Sequence, residues 1–116
     1  MSDQECLFCK MVNGDVPVEI IYNDVNVIGF KDINPEAKIH HVFIHRTHSK
    51  DVIEMAKDSG RQLEHLFHAM TEYMVDNDMH ADGARIVTNI GTNGGQSVFH
   101  THFHLLGGER LGHFGH

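Results

Sequence analysis

The chain has 116 residues, with nine Lys+Arg against sixteen Asp+Glu and a formal net charge of −7. Hydrophobic residues make up 41% and charged residues 22%, the balance of an ordinary globule with a core and not of a disordered chain. The acidic excess disfavours general binding to a nucleic-acid backbone. No stretch reaches the ~18 apolar residues of a transmembrane helix. The polar start Met1-Ser2-Asp3-Gln4-Glu5 does not read as a signal peptide. These features predict a cytoplasmic protein, one domain over residues 1–116, with no nucleic-acid or membrane partner. Twelve histidines run from His40 to His116, too dispersed for a terminal tag. An ordinary imidazole titrates near pH ~6.5, so about half would be charged there and the net charge would rise to about −1.

In chain order, residues 5–14 read as a short helical turn closed by Asn13-Gly14. Residues 18–23 and 25–31, rich in Val, Ile, Tyr and Phe and split near Asn23-Asp24, predict a hairpin. A loop opens at Asn34-Pro35, and residues 39–45 form the next strand. A helix follows, with Ser59 as N-cap and Gln62 three residues on in a capping-box pattern. Leu63, Leu66, Phe67, Met70 and Met74 recur at helical spacing and predict the buried face, with Glu64, His65 and His68 solvated. Asp82-Gly83 closes this region, and Ala84 to Asn89 is a strand. Gly91-Thr-Asn-Gly-Gly95 is a loop, and Gln96 to Leu106 is the last strand. The order predicts an α+β fold: a mainly antiparallel meander carrying one long helix and a short N-terminal one.

His100, His102 and His104 alternate with Thr101, Phe103 and Leu105. On a strand all three histidines share a face, with neighbours about 7 Å apart and the outer pair about 13 Å. One metal ion can take two of them but hardly all three. The row therefore predicts either acid–base and nucleophilic chemistry or a metal pair. The preceding glycine loop lacks the Gly-Lys-Ser/Thr of a P-loop and leads into a strand. Its backbone amides still suit an anion.

The segment Gly95-Gln96-Ser97-Val98-Phe99-His100-Thr101-His102-Phe103-His104-Leu105-Leu106 resembles the histidine-triad motif. The resemblance extends to Phe8-Cys9-Lys10, to Phe30-Lys31-Asp32-Ile33-Asn34-Pro35 and to the His40–His48 stretch, and Gly107-Gly108 after the triad is similar to the Hint branch. It implies a five-stranded sheet joined to that of a second subunit in a homodimer. It also implies hydrolysis of purine nucleotides such as AMP phosphoramidates, with no organic cofactor. Carried over by position, His102 is the nucleophile, His104 lies near the phosphate and leaving group, and His100 with His40 forms a relay behind His102. Asp32 takes the ribose hydroxyls, Asn89, Gln96 and Ser97 the phosphate, and Phe8, Phe30 and Ile33 the base. Thr101, in place of a fully apolar residue, and His45, where relatives carry Pro, depart from the pattern. A nucleotide-binding scaffold with little turnover, a dinucleoside polyphosphate hydrolase and a metallohydrolase are the competing functions.

Cys6 and Cys9 form a Cys-x-x-Cys, open to readings as a disulfide, a redox pair, two reduced thiols or half a zinc site. Zinc needs four N/S ligands. Members of the wider triad superfamily take the missing two from histidines, one of them the first of the triad, which implies a structural Zn²⁺ on Cys6, Cys9, His48 and His100.

Overall fold

The computed structural model describes residues 6–113, so the polar start at residues 1–5 and the tail at 114–116 lie outside it. It contains α1 (Leu7–Val12), β1 (Ile20–Asn23), β2 (Val27–Lys31), β3 (Ile39–His45), α2 (Val52–Asp58), α3 (Gly60–Asp76), α4 (Met79–Asp82), β4 (Arg85–Val87) and β5 (His102–Gly107). The five strands form one sheet in the order β1-β2-β3-β5-β4, and every neighbouring pair is antiparallel. The first three strands make the expected meander. β5 then enters between β3 and β4, so β4 becomes the edge and the triad strand lies inside.

Local chemistry explains the hairpin. The Asp24 carboxylate accepts from the backbone N–H groups of Asn26 and Val27, each at 2.7 Å, and so turns the chain after β1. The long helix and its N-cap lie where the sequence predicts them, but the capping box does not form. Ser59 is the N-cap of α3 without a side-chain bond. The side-chain cap falls at Asp51, whose Oδ1 accepts from Glu54 N at 3.0 Å while Glu54 Oε1 accepts from Lys50 N at 3.1 Å. It starts α2, a helix absent from the sequence expectation.

Pairing sets the two faces of the sheet. Phe43 opposes Phe103, and Val42 opposes His104. Phe43, Phe103 and Leu105 therefore face α3 and bury against Leu66, Ala69 and Met70. Each large side chain so buried contributes roughly 1.5–3 kcal/mol. Phe67 sits at the margin of the helix stripe, 45% exposed, with its ring edge-to-face on Phe103. His65 is not solvated as predicted: it lies on the helix flank that meets the end of β3, and its Nδ1 is 3.0 Å from Nε2 of buried His45. The opposite face carries Ile28, Phe30, Val42 and Ile44 and is covered by α1 through Phe8 and Cys9.

The last strand is shorter than expected. Pairing begins at His102, because Thr101 N donates to Ser49 O at 2.8 Å and the chain bends over Val98–His100. His100 thus precedes the strand and is released from its two-residue alternation. No helix among the described residues is long and apolar enough to cross a membrane.

Candidate functional site

The histidines of the triad divide between two clusters. The first begins at α1. Cys6 is its N-cap, and its Sγ accepts from Cys9 N at 3.3 Å, which brings both thiols to one side of the turn. His100 is fully buried, and its Nδ1 lies 3.3 Å from Cys6 Sγ, 3.4 Å from Cys9 Sγ and 3.3 Å from His48 Nδ1. His48 Nδ1 is 3.3 Å from Cys9 Sγ. His100 Nε2 donates to the His45 carbonyl at 2.9 Å, so the neutral ring presents the Nδ1 lone pair to the thiols. The four donor atoms lie within 4.8 Å of one another, and neither cysteine is in a disulfide. Donors about 2.0–2.3 Å from a tetrahedral zinc ion sit roughly 3.3–3.8 Å apart, so this Cys₂His₂ set is compatible with zinc. The His45 carbonyl is the kind of outer partner that orients a ligating imidazole. Nothing in the sequence marks it, since any residue carries a carbonyl.

The second cluster lies on β3 and β5 and faces a pocket. His102 Nδ1 donates to the His100 carbonyl at 2.8 Å, which leaves the lone pair on Nε2. The Phe8 ring packs edge-on at 5.1 Å from the His102 ring, and the His102 residue is 5% exposed. Burial lowers the pKa of His102 below the usual imidazole value, keeping the ring neutral. A separate, directed chain leads to His104. Glu36 N donates to His40 Nδ1 at 3.0 Å, so neutral His40 carries its proton on Nε2 and donates to His104 Nδ1 at 2.9 Å. His104 then holds its own proton on Nε2. Burial, followed by the neighbouring His102 and His40 rings, pushes its pKa down to about 4. Asp32 serves twice. Oδ1 caps the loop by accepting from Asn34 N at 2.8 Å, and Oδ2 is 3.4 Å from His40 Nε2 and 4.0 Å from His104 Nδ1.

The pocket has a volume of about 470 Å³, the size of a small-molecule site. Phe8, Phe30, Asp32, Ile33, Ser97, His102 and His104 line it, as the sequence expected, together with Leu7, Met11, Val18 and Val98, which it did not single out. Four of the predicted residues make other contacts. The relay behind His102 is not made by rings: His100 turns its side chain to the cysteines and offers His102 only its carbonyl, while His40 meets His104. The Asn89 and Gln96 amides are turned into the glycine loop. Asn89 Nδ2 donates to Gly94 O at 2.6 Å, and Gln96 bonds Gly91, Lys50 and Val98. Gly94 packs so tightly on the Ile90 backbone that a Cβ there has no room, and Gly95 takes a φ of +81°.

Residues 5–114 match the family described as scavenger mRNA decapping enzyme C-terminal binding. The chain is 34% identical over 114 residues to the 14 kDa zinc-binding protein of Zea mays, covering 96% of this chain and 88% of that one. It is 31% identical over 109 residues to the purine nucleoside phosphoramidase of Escherichia coli (strain K12), covering 94% and 92%. The solved structure of a HIT family hydrolase from Clostridium thermocellum superposes with a TM-score of 0.88 at 38% identity, covering 94% of this chain and 95% of that one.

Proposed function

The chain belongs to the histidine-triad family, a family that includes hydrolases, and from that premise we propose that it is a purine nucleoside phosphoramidase-type enzyme working through a nucleotidyl-histidine on His102. One observation carries the reading: a neutral His102 with its Nδ1–H held by the His100 carbonyl and its Nε2 lone pair available beside an apolar pocket. The name of the Escherichia coli relative supports the substrate class.

In this mechanism the base lies between Phe8, Phe30 and Ile33, and the Asp32 carboxylate accepts from the ribose hydroxyls. His104 is neutral in the free enzyme. The anionic phosphate favours its protonated form, so the substrate arrives with its proton donor charged. His102 Nε2 attacks the α-phosphorus. The P–N bond breaks, its electron pair stays on the leaving nitrogen, and His104 Nε2–H protonates that nitrogen. His102 is now an imidazolium, and its charge strengthens the bond from Nδ1–H to the His100 carbonyl. Water then attacks phosphorus, His104 takes its proton, the P–Nε2 bond breaks and AMP leaves. In the free enzyme His40, oriented by Glu36 N–H, keeps the Nδ1 of neutral His104 as acceptor and so places its proton on Nε2, toward the substrate.

Cys6, Cys9, His48 and His100 would hold a zinc ion, a use supported by the name of the Zea mays relative. Zinc there supplies a closed structural clamp between α1 and the residues before β5. A homodimer, from the resemblance, and a single cytoplasmic domain, from length and composition, belong to the same proposal.

The test is turnover of adenosine 5′-phosphoramidate to AMP by the parent and by His102→Ala. The proposal expects turnover by the parent only, with AMP affinity retained in both. AMP binding without turnover by the parent would replace the enzyme with a binding protein.

A further inference from the structure

Gln96 is buried, and its whole amide is used internally. Oε1 accepts from Gly91 N at 2.8 Å, and Nε2 donates to Lys50 O at 2.6 Å and to Val98 O at 3.1 Å. Its backbone N donates to Gly91 O at 3.0 Å. The side chain thus closes the Gly91–Gly95 loop and ties it to residue 50. That attachment point is the last of three consecutive residues with distinct bonds. His48 belongs to the Cys/His cluster, 3.3 Å from both Cys9 Sγ and His100 Nδ1. Ser49 O accepts from Thr101 N at 2.8 Å, and the two hydroxyls are 2.6 Å apart, so Ser49 grips the residue just before His102. Lys50 O takes the Gln96 amide. A capped helix, α2, begins directly after them and anchors their far end.

We infer that Gln96 is a positioning residue through which the filled Cys/His centre sets the shape of the Gly91–Gly95 loop and hence the fit of the substrate phosphate beside Ser97. The inference rests on the zinc reading of that centre. The physical cause is local. Without an ion, the thiols and imidazoles are joined by sulfur–nitrogen hydrogen bonds at 3.3–3.4 Å, which are weaker than bonds to a zinc ion. His48 is the most exposed of the four and the first to yield. Its movement carries the Lys50 carbonyl, to which Gln96 is bound at short range. Thr101, with a hydroxyl where the motif takes an apolar side chain, links the same segment to the nucleophile strand, so its departure from the pattern acquires a use.

The experiment is amide hydrogen exchange on the full chain, zinc-loaded and after chelation, with zinc content measured on the same samples. Stripping zinc is expected to speed exchange at Gly91 and Gln96 by about tenfold or more, while the β2–β3 pairs keep their protection. In Gln96→Met, which keeps length without polar atoms, both amides exchange rapidly with or without zinc, and zinc content stays at the parent's value. Zinc-loaded Gln96→Met is expected to raise KM for adenosine 5′-phosphoramidate about fivefold with a smaller change in kcat. Four results would overturn the inference: zinc lost with the loop amides unchanged, acceleration spread equally over β2–β3, persisting zinc sensitivity in Gln96→Met, or a fall in kcat at constant KM. A chain that binds no zinc fails the reading of the centre, and the inference with it. An inactive parent with the exchange pattern intact fails the enzyme reading alone.

Discussion

His100 and His102 are two residues apart, yet they serve two regions built on opposite terms. The Cys/His centre is closed: His100 is fully buried, and its ring nitrogens are committed to the cluster and to the His45 carbonyl. The His40–His102–His104 face is open: His102 and His104 border a pocket of about 470 Å³. In each region a hydrogen bond at one ring nitrogen decides what the other can do. For His100 the bond is at Nε2 and the lone pair points to thiols. For His102 it is at Nδ1 and the lone pair points to the pocket. Imidazole has the same chemistry in both, and the backbone carbonyl it meets assigns the role.

The comparison can be broken most forcefully at the nucleophile. His102→Ala is expected to lower kcat for adenosine 5′-phosphoramidate by about 10⁴-fold or more while changing unfolding free energy by less than about 2 kcal/mol. Denaturant unfolding beside steady-state rates checks both halves. The reverse pattern belongs to the closed region. His100→Ala should cost about 3 kcal/mol of stability and the bound zinc, measured by urea midpoint and metal content, because it removes a ligand and leaves the His45 carbonyl unpaired.

A smaller effect sharpens the open region. His40→Ala frees His104 Nδ1 and with it the choice of tautomer, and a fall in kcat of about 10- to 100-fold with little change in AMP affinity is expected. The weakest effect is the pH dependence. The pKa values of His102 and His104 are both lowered by burial, so the folded state binds fewer protons there than the unfolded chain. Their contribution to stability is full above about pH 6.5 and declines as pH falls toward about 4, where His104 titrates. Urea midpoints across that window should fall on acidification. The acid limb of kcat/KM, set by His102 in the free enzyme, should lie below the ordinary imidazole value.

Much of this is legible from residue order. The motif around His100–His104, the Asn23-Asp24 hairpin and the Leu63–Met74 stripe all express short-range periodicity, and all three appear in the fold. The pocket residues Phe8, Phe30, Asp32 and Ser97 follow from the resemblance and meet at one surface. What is not legible depends on long-range partners. Strand alternation puts His100 beside His102, but the Ser49 carbonyl captures Thr101 N, and the strand starts only at His102. Gln96 and Asn89 resemble phosphate ligands because an amide suits a phosphate. The loop's own backbone groups, brought close by glycine, compete for the same amides. His65 reads as solvated because a helical pattern tells which residues lie off the stripe and not what approaches from the end of β3.

The division of labour between the two regions is tested most directly by identifying the residue that carries the nucleotide. Parent protein would be mixed with adenosine 5′-phosphoramidate, stopped in alkali, where a P–N adduct on imidazole survives, and mapped by peptide mass spectrometry. The account predicts a nucleotidyl group on His102 and none on His100. An adduct on His100 or His104, or turnover that proceeds unchanged in His102→Ala, would contradict it.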